Sequence, residues 1–208
     1  MFSLTDADFG GRILGCADGP ASFNAVATHQ GRYVVSCDPL YRYSGPEIRA
    51  RIDAVYPEVL EQTRQNLHEF VWQEFASVDD VGRVRMEAME AFLNDYDVGR
   101  EKGRYVDAEL PSLPFATDTF NLALCSHFLF LYTDQLSEDF HIEAIFEMLR
   151  VSREVRIFPL LAMGGTPLRY LPHVVGRLKE SGLGVSIERV PYEFVRGANE
   201  MMWVRKGG

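Results

Sequence analysis

The chain has 208 residues, of which 47% are hydrophobic and 25% charged, enough for one domain with its own core and too apolar for global disorder. Its 21 basic and 30 acidic residues give a formal charge of −9, which excludes a broad basic face for nucleic acid and disfavours a membrane-surface role. Three dispersed cysteines make a poor disulfide framework, the acidic start holds no apolar leader, and residues 120–132 are too short and too polar to span a bilayer, so a single domain over residues 1–208 in a reducing cytoplasm is expected.

Arg12-Ile13-Leu14 is a short apolar strand entering the turn Gly15-Cys16-Ala17-Asp18-Gly19-Pro20. Residues 21–29 then read as a helix, with Phe23, Val26 and Ala27 at helical spacing. Tyr33-Val34-Val35-Ser36-Cys37 is β-rich and ends at Asp38-Pro39. This succession opens a strand–helix–strand unit. Ser44 and Glu47 then stand at capping-box spacing, with Pro46 in the first turn. Ile48, Ile52, Val55, Val59, Thr63 and Leu67 form one stripe, with Pro57 expected to kink or split the helix. Ser77 and Asp80 mark another start, and Met86, Met89, Leu93 and Tyr96 form a second stripe. Residues 44–100 therefore read as almost wholly helical.

Residues 104–107 return to strand and end in Asp107; residues 110–118 are a proline-broken loop, and residues 120–125 a buried strand. Residues 140–149 are a helix with Ile142, Ile145, Phe146 and Leu149 on one face. A strand at 155–158 stops at Pro159, and residues 170–181 are a last helix. Residues 185–190 and 201–204 are strands joined through Arg196-Gly197-Ala198-Asn199, and form an antiparallel hairpin. The alternation predicts an α/β fold with a mostly parallel sheet covered on both faces.

In such a sheet a ligand binds at the carboxyl ends of the strands. Gly15 and Gly19 permit close approach of backbone to ligand there. Asp38, ending the second strand, suits the two hydroxyls of a ribose. Asp107, ending the third, suits the exocyclic amine of an adenine.

On these residues the sequence resembles the class I S-adenosylmethionine-dependent methyltransferases. Leu14-Gly15-Cys16-Ala17-Asp18-Gly19 resembles the family's glycine-rich first motif, and Val34-Val35-Ser36-Cys37-Asp38 the acid-ended second. Residues 105–127, from Tyr105-Val106-Asp107-Ala108 through Leu113-Pro114-Phe115 to Ser126-His127, resemble a longer third stretch. The resemblance covers residues 12–43 and 103–205. It implies a Rossmann-like, doubly wound seven-stranded sheet of order 3-2-1-4-5-7-6 with the last strand antiparallel. It also implies S-adenosylmethionine as cofactor and a small or medium methyl acceptor. Gly15, Cys16, Ala17 and Gly19 would run past its methionine and ribose. Asp38 would hold the ribose, Pro39 and Leu40 would flank the adenine, and Asp107 and Ala108 would meet its edge. Ser126 and His127 would face the methionine end and the acceptor, with His127 as catalytic base. The chain departs from the motif at Ile13, where the family has an acid, and at Ala17, where it has a glycine. An acid at position 13 is expected to be tolerated only if that position faces the pocket. Ala17→Gly is expected to lower stability by about 0.4–1 kcal/mol through the unfolded chain.

These departures leave a second reading, a cofactor-binding or interaction module without turnover. A nicotinamide site fits less well, because Ser22 breaks the G-x-G-x-x-G spacing. Cys16, Cys37 and Cys125 read as packing residues rather than a metal site. His29, His68, His141 and His173 read as surface or capping residues. Tyr132, Tyr192 and Arg196 are candidate pocket walls. The insertion at 44–100 far exceeds the about 30 residues of a minimal strand–helix–strand unit. It is a candidate lid, decoration or oligomer contact, with Arg42, Tyr43 and Arg49 at its start placed to meet an anionic group.

Overall fold

A computed structural model describes residues 1–166 and 168–207. Seven strands form one sheet: β1 (Arg12–Cys16), β2 (Tyr33–Cys37), β3 (Tyr105–Val106), β4 (Phe120–Ser126), β5 (Ser152–Phe158), β6 (Gly184–Arg189) and β7 (Glu200–Arg205). Their order is β3-β2-β1-β4-β5-β7-β6. The first five are parallel, and β7 runs antiparallel to both β5 and β6. This is the class I methyltransferase fold expected from the sequence. Among the described residues five α-helices complete it: α1 (Phe23–His29), α2 (Gly45–Gln65), α3 (Val78–Glu101), α4 (Glu138–Val151) and α5 (Leu171–Glu180).

Both faces of the sheet are covered, which explains why its central strands are apolar on successive residues. On one face Leu14, Val35, Ala123 and Ile157 pack with Ile145 and Met148 of α4 and Leu178 of α5. On the other, Ile13, Val34, Leu122 and Leu124 pack with Ala27 of α1 and with Phe2. Ile13 is completely buried in that second layer. Position 13 is thus a core position, and an unpaired carboxylate there would be costly.

The insertion has a small core of its own. Tyr41, Ile48, Ile52, Phe92, Tyr96 and Tyr105 are buried together. The four aromatic rings Tyr41, Phe92, Tyr96 and Tyr105 lie with centroids 5.0–6.0 Å apart. The Tyr96 hydroxyl reaches the carbonyls of Tyr41 and Tyr43 at 2.9 and 2.8 Å. Arg104 forks onto Asp95 with two bonds of 2.7 Å, which fixes α3 to the start of β3.

The structure departs from the sequence reading in several places. The α2 helix begins on the expected Ser44–Glu47 capping box but runs through Pro57 without a break. The carbonyl that Pro57 leaves unpaired belongs to exposed Asp53, where water can satisfy it. Residues 66–76 are not regular helix beyond one 3-10 turn (Leu67–Glu69), because Phe70 forms a bridge with Val195. Leu60 is buried where Leu67 was expected, and Phe92 lies deeper than Met86, Met89 or Leu93. Val26 and Phe146 are partly exposed, since α1 and α4 each rest only one face on the sheet. His141 is a core residue rather than a surface one, with Nδ1 2.7 Å from the Ser137 carbonyl. Among the described residues no helix is long and apolar enough to cross a membrane.

Candidate functional site

Strand register brings the predicted residues together. Cys16 lies opposite Cys37 on one side and Cys125 on the other, and Cys37 lies opposite Val106. The residues that follow those positions, Ala17, Asp38, Asp107 and Ser126, therefore leave four adjacent strands at one level of the carboxyl edge. The three cysteines are free and buried, and they fill space beneath that edge.

The glycine turn is held from within. The Ala17 amide donates to the Cys37 carbonyl at 2.9 Å. Gly19 donates its amide to Asp38 Oδ2 at 2.9 Å, and its carbonyl accepts from the Tyr41 hydroxyl at 2.8 Å. The Leu40 amide donates to Asp38 Oδ1 at 2.8 Å. Each carboxylate oxygen of Asp38 thus has one protein partner and one lone-pair site left, enough for two hydroxyl donors. Burial raises the Asp38 pKa, its two amide bonds oppose that rise, and the charge of Asp107 adds to it.

The glycines serve different purposes. A β-carbon on Gly15 would collide with the Asp18 carboxyl group, so the residue must be glycine to admit it. A β-carbon on Gly19 would meet nothing within 4 Å, so the turn is open there to a ligand. Ala17 and Gly19 both have φ near 56°, in the left-handed region. Asp18 is tucked under the turn, where it accepts from Ser36 Oγ at 2.6 Å. Burial pushes its pKa up to about 7, the Ser36 hydrogen bond opposes this, and Asp38 adds repulsion. Ser36 continues a buried polar chain: Asn24 Nδ2 donates to Ser36 Oγ at 3.1 Å, and Arg104 donates to Asn24 Oδ1 at 2.7 Å. Through Arg104 and Asp95 the turn is wired to α3. Nothing in the residue spacing signals this chain.

Around the turn, Pro39 and Leu40 begin a 3-10 turn (Pro39–Arg42), and Leu40 packs on the insertion core. Ala108 packs against the sheet core, and Asp107 pairs with Arg42 at 3.3 Å. Arg49 pairs with Glu90. Both arginines expected to meet an anionic group are therefore already matched by acids of the chain.

His127 follows Ser126 with a φ of 51°, a strained value for a residue other than glycine. Its amide donates to the Phe158 carbonyl at 2.7 Å, and its Nδ1 lies 2.9 Å from Ser126 Oγ. Burial first, then the positive charges of Arg85 and the Met1 amine, lower its pKa. The ring is thereby kept neutral near pH 7, the form a general base requires. Tyr192 stands beside it: the His127 and Tyr192 rings lie 5.5 and 6.0 Å from that of Phe158. Tyr132 is elsewhere, half-exposed against Phe128.

The insertion reaches across to the β6–β7 loop. Phe70, Trp72 and Phe75 pack around Phe194 with centroids 4.9–6.0 Å away. Val71 donates to the Phe194 carbonyl at 2.8 Å, and Arg196 to the Glu69 carbonyl at 2.7 Å. The Arg196 guanidinium donates to the carbonyls of His68 and Phe70 at 3.3 and 3.2 Å. Arg196, expected as a pocket wall, is instead a latch on the insertion. Two surface depressions, of about 560 and 350 Å³, lie at the opposite edge of the sheet around Asn121 and Glu154, away from the glycine turn.

No family model matches the chain. An uncharacterized protein of Methanocaldococcus jannaschii, MJ0045, is 32% identical over 210 residues, covering 99% of this chain and 90% of that protein. The chain belongs to this protein's family. Among solved structures it is similar to a putative S-adenosyl-L-methionine-dependent methyltransferase of Methanococcus maripaludis, with a TM-score of 0.49, 11% identity, and coverage of 97% of this chain and 81% of the other. The magnesium protoporphyrin IX methyltransferase of Synechocystis gives 0.48, 11%, 97% and 73%. A TehB-like methyltransferase of Corynebacterium glutamicum gives 0.47, 17%, 96% and 81%. At those values the fold assignment rests on the sheet order itself.

Two outcomes follow from the turn. A left-handed conformation costs a residue with a β-carbon about 1–2 kcal/mol, more than the about 0.4–1 kcal/mol that glycine adds to the unfolded chain. Ala17→Gly should therefore raise stability by up to about 1 kcal/mol in urea unfolding, reversing the sign expected from sequence. Asp18 binds its proton more tightly when folded, so its contribution is present below pH 4 and is lost as pH rises towards 7. Asp18→Asn should gain about 1–3 kcal/mol over the wild type at pH 8 and much less at pH 5.

Proposed function

We propose that the chain binds S-adenosylmethionine across the carboxyl edge of β1–β4 and transfers its methyl group to a small or medium acceptor. The observation that supports this most is Asp38, whose carboxylate clamps the Gly19 turn and still has a free acceptor site on each oxygen. Gly15, Cys16, Ala17 and Gly19 line the methionine and ribose part of the site. Pro39, Leu40, Asp107 and Ala108 take the adenine, and Ser126 the methionine end. When bound, the cofactor supplies a methyl group on a sulfonium centre, already activated for in-line displacement.

The protein's own task is then mainly positioning. His127 stands at the end of β4 and accepts the proton that the nucleophile loses. In the tautomer whose Nδ1–H donates to Ser126 Oγ, Nε2 is the base. The insertion, latched to the β6–β7 loop, excludes water from the acceptor side. The open face above Gly19 supports cofactor entry, since nothing of the protein fills it.

A module without turnover is favoured by one observation, the burial of Ile13 in the core, which removes the family's acid from the site. Calorimetry separates the two. S-Adenosylmethionine and its demethylated product should bind with micromolar dissociation constants, and Asp38→Ala should cost about 1.5–3 kcal/mol of that affinity. Binding with no demethylated product released from any acceptor panel would favour the module. No binding of either compound at millimolar concentration would end the methyl-transfer reading and favour an interaction module that has lost the pocket.

A further inference from the structure

One buried polar side chain near the glycine turn touches nothing that a ligand would touch. Asn24 lies in the first turn of α1 and is buried where the helix meets β2 and the start of β3. Its Nδ2 shares its protons among the Val34 carbonyl at 3.3 Å, Ser36 Oγ at 3.1 Å and the Arg104 carbonyl at 3.0 Å. Its Oδ1 accepts from Arg104 Nη1 at 2.7 Å and from Thr28 Oγ1 at 3.4 Å. Acceptors face the nitrogen and donors face the oxygen, so the amide fits only one way round.

The hydrogen bonds through Asn24 run in one direction. Arg104 donates to Asn24, Asn24 to Ser36, and Ser36 to Asp18 Oδ2 at 2.6 Å. The single proton of the Ser36 hydroxyl goes to Asp18, so the buried oxygen needs a donor of its own, and Asn24 is that donor. At the far end Arg104 forks onto Asp95 of α3, and the Tyr105 hydroxyl donates to the same carboxylate at 2.9 Å. A chain that starts on a guanidinium and ends on a carboxyl group is polarised from both ends, and each bond strengthens the next. Arg104 is held in this place although its Nε is left buried and unpaired, which is costly. The near end is the turn itself. Asp18 lies between Ala17 and Gly19, both left-handed, and its carboxyl group fills the space of the β-carbon that Gly15 lacks. Moving that carboxyl group moves the turn.

We infer that Asn24 is a positioning residue for the cofactor site: acting through Ser36 and Asp18 it fixes the Gly15–Gly19 turn, and through Arg104 it couples that turn to α3. It holds the Ser36 hydroxyl aimed at Asp18, so that the turn keeps the shape in which Asp38 and the open face at Gly19 receive the ligand. Coupling of this kind is reciprocal, so a ligand that steadies the turn also steadies α3 around Asp95, and the hold of Asp95 on Arg104 supports binding at the turn. This rests on the S-adenosylmethionine site proposed above and adds the device that sets its geometry.

The test titrates the full chain with S-adenosylhomocysteine by calorimetry. Asn24→Leu and Ser36→Ala should each weaken binding about fivefold, the scale of one hydrogen bond. The double variant should lose the same factor rather than the product of the two, because the residues act in series. Leu178→Ala, which opens the other core layer, should lose stability and bind like the wild type, so a merely structural role is told apart. If Asn24→Leu does not fold, Asp95→Asn takes its place: it should weaken binding by itself and add nothing in the Ser36→Ala background. Wild-type affinity in Asn24→Leu or its replacement, or losses that multiply in the double variant, would overturn the inference. If S-adenosylhomocysteine binds none of the proteins, the reading of the site falls instead, and carboxyl NMR decides the relay. The Ser36 hydrogen bond holds the Asp18 pKa down, so that pKa should rise in Asn24→Leu or Asp95→Asn and should not rise further when either is added to Ser36→Ala. An Asp18 pKa indifferent to those variants would show that no relay exists.

Discussion

One carboxylate ties the site together. Asp38 closes β2, accepts the Gly19 amide with one oxygen and the Leu40 amide with the other. The first bond fixes the turn after β1. The second starts the 3-10 turn that leads into the insertion. Tyr41, two residues beyond Leu40's neighbour Pro39, returns a hydrogen bond to Gly19 and carries the aromatic core of the insertion on its ring. The glycine turn and the start of the insertion are thus parts of one local structure, joined through Asp38 and Tyr41.

The same edge concentrates charge in an unusual way. Asp38 lies close enough to Asp18 and to Asp107 for repulsion to act between them, and burial raises the Asp18 pKa to about 7. The acid that the resembling enzymes place at position 13 is missing, and the isoleucine there packs in the core. Side chains two apart on a strand share a face, so Ile13 and the Gly15 position look the same way. The carboxyl group of Asp18 fills the Gly15 position on that face.

The sheet was legible because each parallel strand is an apolar run ending in a polar turn, and because the hairpin at the end forces one strand to run antiparallel. The positions of Asp38 and Asp107 were legible for the same reason, since strand ends in register share a level. The middle of the chain was harder. A helical stripe does not distinguish burial against the sheet from burial in a private core, so Leu60 and Phe92 were missed and Leu67 was misplaced. The break at 66–76 depends on pairing with the distant Val195, which no local pattern records. Arg196 and Arg49 carry charge at plausible places, but only the fold shows that their partners are carbonyls and Glu90 within the chain.

Hydrogen exchange followed by mass spectrometry, with and without S-adenosylhomocysteine, tests the central claim most directly. If the site spans the carboxyl edge under the insertion, exchange should slow in residues 15–19, 38–43 and 105–108, and also across residues 66–101. Slowing confined to the opposite edge around Asn121 and Glu154, or no change anywhere at saturating ligand, would contradict it.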